Sequence, residues 1–65
     1  MFPITTNFGT FLTEDDKLNK NCTKVIHPLS GRQILILHNV YWWDRDGIEA
    51  ALYKNKERII EKLRE

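Results

Sequence analysis

Few side chains in this sequence could do covalent or metal chemistry. There is one cysteine, Cys22, and there are two histidines, His27 and His38. A short acidic run reads Asp44-Arg45-Asp46-Gly47. Thiolate and imidazole are zinc ligands, and a zinc site needs three or four such groups converging on one point. Cys22 and His38 become cross-strand neighbours if the two apolar runs around them pair antiparallel. His27 then lies at the far end of the hairpin and on its opposite face. Further ligands would have to come from Asp44 or Asp46, which have no ligand spacing to support them, so no bound metal is expected.

The acidic run invites a calcium reading, which its positions defeat. If Gly47 were the invariant glycine of a calcium loop, the first and last ligands would be Trp42 and Tyr53, and neither side chain can fill those places. Asp44 to Gly47 reads instead as the start of a helix, where short acidic side chains accept hydrogen bonds from free backbone N–H groups. No glycine-rich phosphate loop and no HExxH, GxSxG or CxxC pattern occurs, and Ser30 sits in a turn. With 65 residues, the chain has little volume for a concave pocket. Neither enzyme activity nor a cofactor is expected.

Binding chemistry has better material. Tyr41, Trp42 and Trp43 are consecutive, and neighbours in a chain diverge, so the three rings are not expected to share one environment. One is expected to cover the core beneath a helix and another to lie at the surface as a binding anchor. The competing possibility is that all three cap a small core. Lys54, Arg58 and Lys62, within the series Lys54, Lys56, Arg58, Lys62 and Arg64, could contact phosphates, with an exposed tryptophan stacking on bases. Glu57, Glu61 and Glu65 alternate with them at helical spacing, which favours a solvated, ion-paired face.

The elements that must position these groups centre on Gln33 to Val40. Ile34 to Leu37 are four consecutive aliphatic residues. In a strand, Ile34 and Ile36 face one way while Leu35 and Leu37 face the other, so both faces want cover. Cys22 to His27 pairs with this strand through Pro28-Leu29-Ser30-Gly31, with Gly31 in the left-handed position of a bulged turn. The expected register sets Ile26 against Ile34, Val25 against Leu35 and Cys22 against His38. Asp46 to Arg64 reads as a helix about 28 Å long, with Ile48, Leu52, Ile59 and Leu63, flanked by Ala51 and Ile60, as its apolar stripe. Asn55 interrupts the stripe, marking either a break into two helices or a bond to a neighbour. Phe8 to Thr13 is strand-prone, with Gly9 as a bend. Glu14 to Asn21 is polar and reads as a loop or one helical turn capped by Thr13. Met1 to Asn7 is an arm that docks through Phe2 and Ile4.

The expected fold is therefore α+β: a small antiparallel β-meander or hairpin of two to three strands, with one C-terminal α-helix packed on one face. The whole chain, 1–65, makes a single small domain with an N-terminal arm at 1–7, a β-hairpin at 22–40 and a helix at 44–64. A chain of this length buries only about 60% of its unfolded surface, and one cysteine cannot form an internal disulfide. Ten basic and nine acidic residues give a net charge of +1, too little for bulk attraction to nucleic acid or anionic lipid. No apolar run approaches the roughly 20 residues of a membrane span. No secretory leader is read, so a reducing, cytoplasmic setting is expected and the Asn21-Cys22-Thr23 sequon is taken as chance.

If the helix covers one face of the strand, the other needs the arm or a partner. The expected function is a small non-enzymatic protein–protein interaction module, an adaptor, a regulatory accessory subunit or an inhibitor. It would self-associate as a homodimer through an apolar sheet face or bind a larger protein. The expected partner surface is Leu35, Leu37, Tyr41, Trp42 and Trp43. The alternative is a single-stranded nucleic-acid binder using Lys54, Arg58 and Lys62. A charge at Leu35 tests the apolar environment: Leu35→Asp is expected to unfold the domain or dissociate its complex, as read by circular dichroism and by sedimentation.

Overall fold

The segment expected to be a separate arm is an edge strand. In the computed structural model, which describes residues 2–64, the elements are β1 (Phe2–Thr6), β2 (Gly9–Asp15), β3 (Cys22–Ile26), β4 (Gln33–His38), α1 (Arg45–Lys54) and α2 (Lys56–Leu63). Met1, assigned to the arm, and Glu65, assigned to the charged helix face, lie outside the described residues. The sheet is a four-stranded antiparallel meander in the order β1-β2-β3-β4. The class is thus α+β, with one strand and one helix more than expected.

β1 pairs with β2 from Phe2↔Thr13 to Thr6↔Gly9. Proline is tolerated on an edge strand, where a missing ladder donor can be spared. The Asn7-Phe8 turn is held by Thr6, whose hydroxyl accepts from Phe8 N–H at 3.3 Å and donates to the Gly9 carbonyl at 2.7 Å. The arm therefore cannot fold over the second face. It widens the sheet, and Ile4 enters the core on the helix side.

β3 and β4 pair with Val25↔Leu35 and Cys22↔His38 as expected, but a β-bulge makes Ile26 oppose Gln33. The extra residue is Ile34. A bulge re-aims the side chain it carries, and Ile34 joins Leu37 in the core instead of sharing a face with Ile36. The turn before β4 is closed by Gly31 N–H to the His27 carbonyl at 2.9 Å and His27 N–H to the Arg32 carbonyl at 2.8 Å. Gly31 takes φ +72°, the left-handed conformation that a residue with a Cβ rarely adopts.

The helices divide at Asn55, whose side-chain amide donates to the Ala51 carbonyl at 2.8 Å while Ile59 N–H donates to the Asn55 carbonyl. α1 contacts β1 and α2 contacts β4. Ile48, Leu52 and Ile59 pack with Ile4, Phe11, Val25, Ile34 and Leu37 as one core. Each such burial contributes about 1.5–3 kcal/mol, against a few tenths for a surface charge pair, so packing fixes the helices. Leu63 does not complete the stripe. The turn at Asn55 carries it beyond the core, where it is 38% exposed near His27, Ser30 and Arg32. Thr13, proposed as a cap, is buried in the sheet and donates to the Phe2 carbonyl at 3.0 Å. Asp16 is the residue that holds the following turn.

Asp44 caps α1, accepting from Gly47 N–H at 3.0 Å. A Cβ on Gly47 would meet the Asp44 carboxylate and require that side chain to shift. Asp44→Ala is expected to cost about 1 kcal/mol, measured as a lower denaturant midpoint with an unchanged slope.

Candidate functional site

The aromatic run is positioned by two hydrogen bonds to its predecessor. After β4 the chain reverses at Asn39, at φ +60°, a conformation asparagine tolerates better than most residues. Val40 is then clamped to the start of β3: its carbonyl accepts from the fully buried Thr23 hydroxyl at 2.6 Å, and its N–H donates to the Asn21 carbonyl at 3.1 Å. Asp44 N–H reaches back to the Tyr41 carbonyl at 3.0 Å, so Trp42 and Trp43 occupy the two corners of a turn. Corner side chains point away from the body, and all three rings are exposed: Tyr41 43%, Trp42 42% and Trp43 65%. The expectation that one of them covers the core is not met.

The turn runs from the end of β4 towards the start of β1, across one end of the sheet. Trp42 stacks on Phe2 with centroids 5.5 Å apart and planes at 13°, while Tyr41 stacks on Trp43 at 5.1 Å and 14°. Beneath the rings is a groove of about 440 Å³ lined by Phe2, Pro3, Ile4, Thr13, Trp42, Trp43, Arg45 and Ile48. It lies within the range for small ligand pockets, roughly 300–1,000 Å³, with a mostly apolar lining and one guanidinium. On its other side Trp42 shares a concavity of about 300 Å³ with the β2–β3 loop, including Asp16, Lys17 and Lys20.

Leu35 and Leu37 do not join this surface. Leu37 is 3% exposed and lies in the core, and Leu35 is half-buried against it. The Val25/Leu35/Leu37 side is the one the helices cover. The open side carries Leu12, Ile26 and Ile36 among polar neighbours, including a Lys24–Glu14 pair at 3.6 Å and the Thr5–Thr10 hydroxyls. Lys54, Arg58 and Lys62 are exposed on the helices but distant from the tryptophans. Tyr53, beside Lys54, accepts a hydrogen bond from Asn7 N–H at 3.1 Å, at the opposite end of β1 from Phe2. Arg58 and Lys62 flank Leu35 on β4.

Cys22 and His38 do meet, with Sγ 3.4 Å from Nδ1. His27 lies at the other end of the sheet, where its Nδ1 accepts from Leu29 N–H at 3.1 Å and Ser30 N–H at 3.4 Å. No cluster of three metal-ligating groups occurs among the described residues. Of the groove residues only Trp42 and Trp43 were expected, and Phe2 and Arg45 are the ring and the guanidinium among those that sequence reasoning missed. Phe2 was visible only as an apolar residue in an arm whose pairing was not foreseen, and Arg45 only as a spacer between capping acids. The chain matches no known protein-family model, no curated protein and no solved structure.

The loop flanking Trp42 carries a pH-sensitive element. Asp16 accepts from the Asn19 side-chain amide at 2.9 Å and from Leu18 N–H at 3.0 Å. These bonds, the Asn19 amide foremost, hold its carboxyl below its ordinary value of 3.8. A lowered carboxyl pKa stabilises the fold above the unfolded value, and the contribution is lost as pH falls through the folded one. Stability in wild type is therefore expected to drop below pH 3.8. Asp16→Asn should remove that part of the acid dependence, as shown by denaturation curves taken across the acid range.

Proposed function

We propose that this chain is a non-enzymatic protein-binding module that docks a partner protein on the aromatic end of its sheet. The observation that carries the reading is the placement of Trp42 and Trp43. Both are fixed by a turn, a stacking contact and the Val40 clamp, yet both face water. Large aromatic surface held rigid and left exposed is the material of interface anchors, because little side-chain entropy remains to be lost on binding. The groove under the rings suits an apolar side chain of the partner, and Arg45 at its margin suits a neighbouring carboxylate.

Self-association through the open sheet face has weaker support, because face-to-face packing would bury the Lys24–Glu14 pair, at a desolvation cost. Single-stranded nucleic acid also has weaker support. Lys54, Arg58 and Lys62 lie away from the tryptophans, and the lysines beside Trp42, namely Lys17, Lys20 and Lys24, are matched by Glu14, Asp15 and Asp16, which leaves no unopposed basic surface around that ring. Against catalysis, the Cys22 thiol is buried, and among the described residues it is the only partner of the His38 ring.

Trp43→Ala is expected to change stability by no more than about 0.5 kcal/mol, as an exposed position does, while weakening partner binding at least tenfold. Affinity capture with wild type, Trp43→Ala, Trp42→Ala and a control at exposed Leu29 would identify a candidate, followed by titration of the purified candidate. A partner bound equally by the tryptophan variants overturns the reading. So does salt-dependent quenching of tryptophan emission by an oligonucleotide with no protein partner recovered.

A further inference from the structure

The groove beneath the rings has a one-sided hydrogen-bonding character. Its polar side chains are Trp42, Trp43, Arg45 and Thr13. Indole and guanidinium groups donate and do not accept. The Thr13 hydroxyl, which could accept, is already engaged with the Phe2 carbonyl. Among the described residues neither indole N–H has an acceptor and Arg45 has no ion pair. A ligand here needs free acceptors and has little use for donors.

That requirement sorts the ways a peptide segment can dock. In the register of β1 on β2, Phe2, Ile4 and Thr6 bond to β2, while Pro3 and Thr5 turn their backbone groups outward. Pro3 lines the groove and has no N–H, so a strand added along this edge would leave a carbonyl without a donor. A helix keeps its carbonyls in its own hydrogen bonds, except in its last turn, and brings no acceptors to the indoles along its length. A polyproline II segment leaves every carbonyl free and, at each proline, carries no N–H. Such segments dock in aromatic-lined grooves.

We propose that the segment recognised at the aromatic end is proline-rich and binds as a polyproline II helix. Its rings pack on Trp42 and Trp43, and its carbonyls accept from the indole N–H groups. The inference rests on the reading of this end as a protein-docking site and names what the partner presents there. Such a segment is extended before it binds, and the tryptophans are held before they are met, so neither side has much order to lose.

The probe is a blocked peptide of ten prolines, titrated into the isotope-labelled chain and followed by nuclear magnetic resonance. Both indole N–H signals are expected to move downfield and to saturate. Trp42→Phe and Trp43→Phe each keep an aromatic face and lose the donor. Each should keep the wild-type backbone spectrum and bind the peptide about fivefold more weakly. An alanine-rich helical peptide and a threonine–valine peptide of the same length should leave the indole signals in place. No shift up to about 1 mM polyproline, equal affinity in the phenylalanine variants, or equal binding of either control peptide overturns the inference. A partner captured through the tryptophans whose docking segment lacks proline overturns it too, and leaves the protein-docking reading standing. A partner bound equally by Trp43→Ala removes both.

Discussion

The clamp between Thr23 and Val40 is the interaction on which the rest of the architecture turns. A threonine hydroxyl in the middle of an apolar core is costly unless bonded, and this one is bonded to the carbonyl of the residue that leaves the sheet. The Asn21 carbonyl holds the same residue from the other side. Together they fix where the chain departs from β4, and hence where the aromatic turn lies and where Asp44 begins α1. Without that departure point the helices would have the right apolar stripe and no determined place to set it down.

Much of the core was legible from periodicity. Ile48, Leu52 and Ile59 carry helical spacing, Val25 and Leu37 carry strand alternation, and the Asp44 cap and the Asn55 break follow from local hydrogen-bonding chemistry. The errors came where a single residue's backbone overrode the pattern. Ile34 alternates correctly on paper, but a one-residue bulge moves it to the covered face. Pro3 lacks a ladder donor, which an edge strand tolerates, so nothing in the pattern of residues 2–6 announces their pairing with β2. The site was half legible. Three consecutive aromatics announce a special segment, but their exposure follows from a turn closed by the Asp44 N–H, which sequence does not reveal. Leu35 and Leu37 were assigned to a partner because only one face could be covered, and nothing in their types said which.

The two faces of the sheet now have distinct characters. The helix-covered face is continuous and apolar, with Thr13 and Thr23 as bonded exceptions. The open face mixes Leu12, Ile26 and Ile36 with a charge pair and hydroxyls, the alternation of a solvated antiparallel sheet. Pro3, Leu12 and Ile26 form one apolar row across three strands of it, flanked by the polar groups. The largest exposed aromatic surface lies on the perimeter, as the water-facing rings at one end of the sheet.

The meander order also has a kinetic consequence. Every strand pairs with its neighbour in sequence, through a two-residue turn at Asn7-Phe8 and six-residue connections at 16–21 and 27–32. The entropy of closing such loops grows only logarithmically with length, so the strand pairings are local, while the packing of α1 on β1 joins distant parts of the chain and raises the contact order. The bond from Asn7 to Tyr53 spans 46 residues and must wait for the sheet. It acts as a latch that closes after the framework has formed.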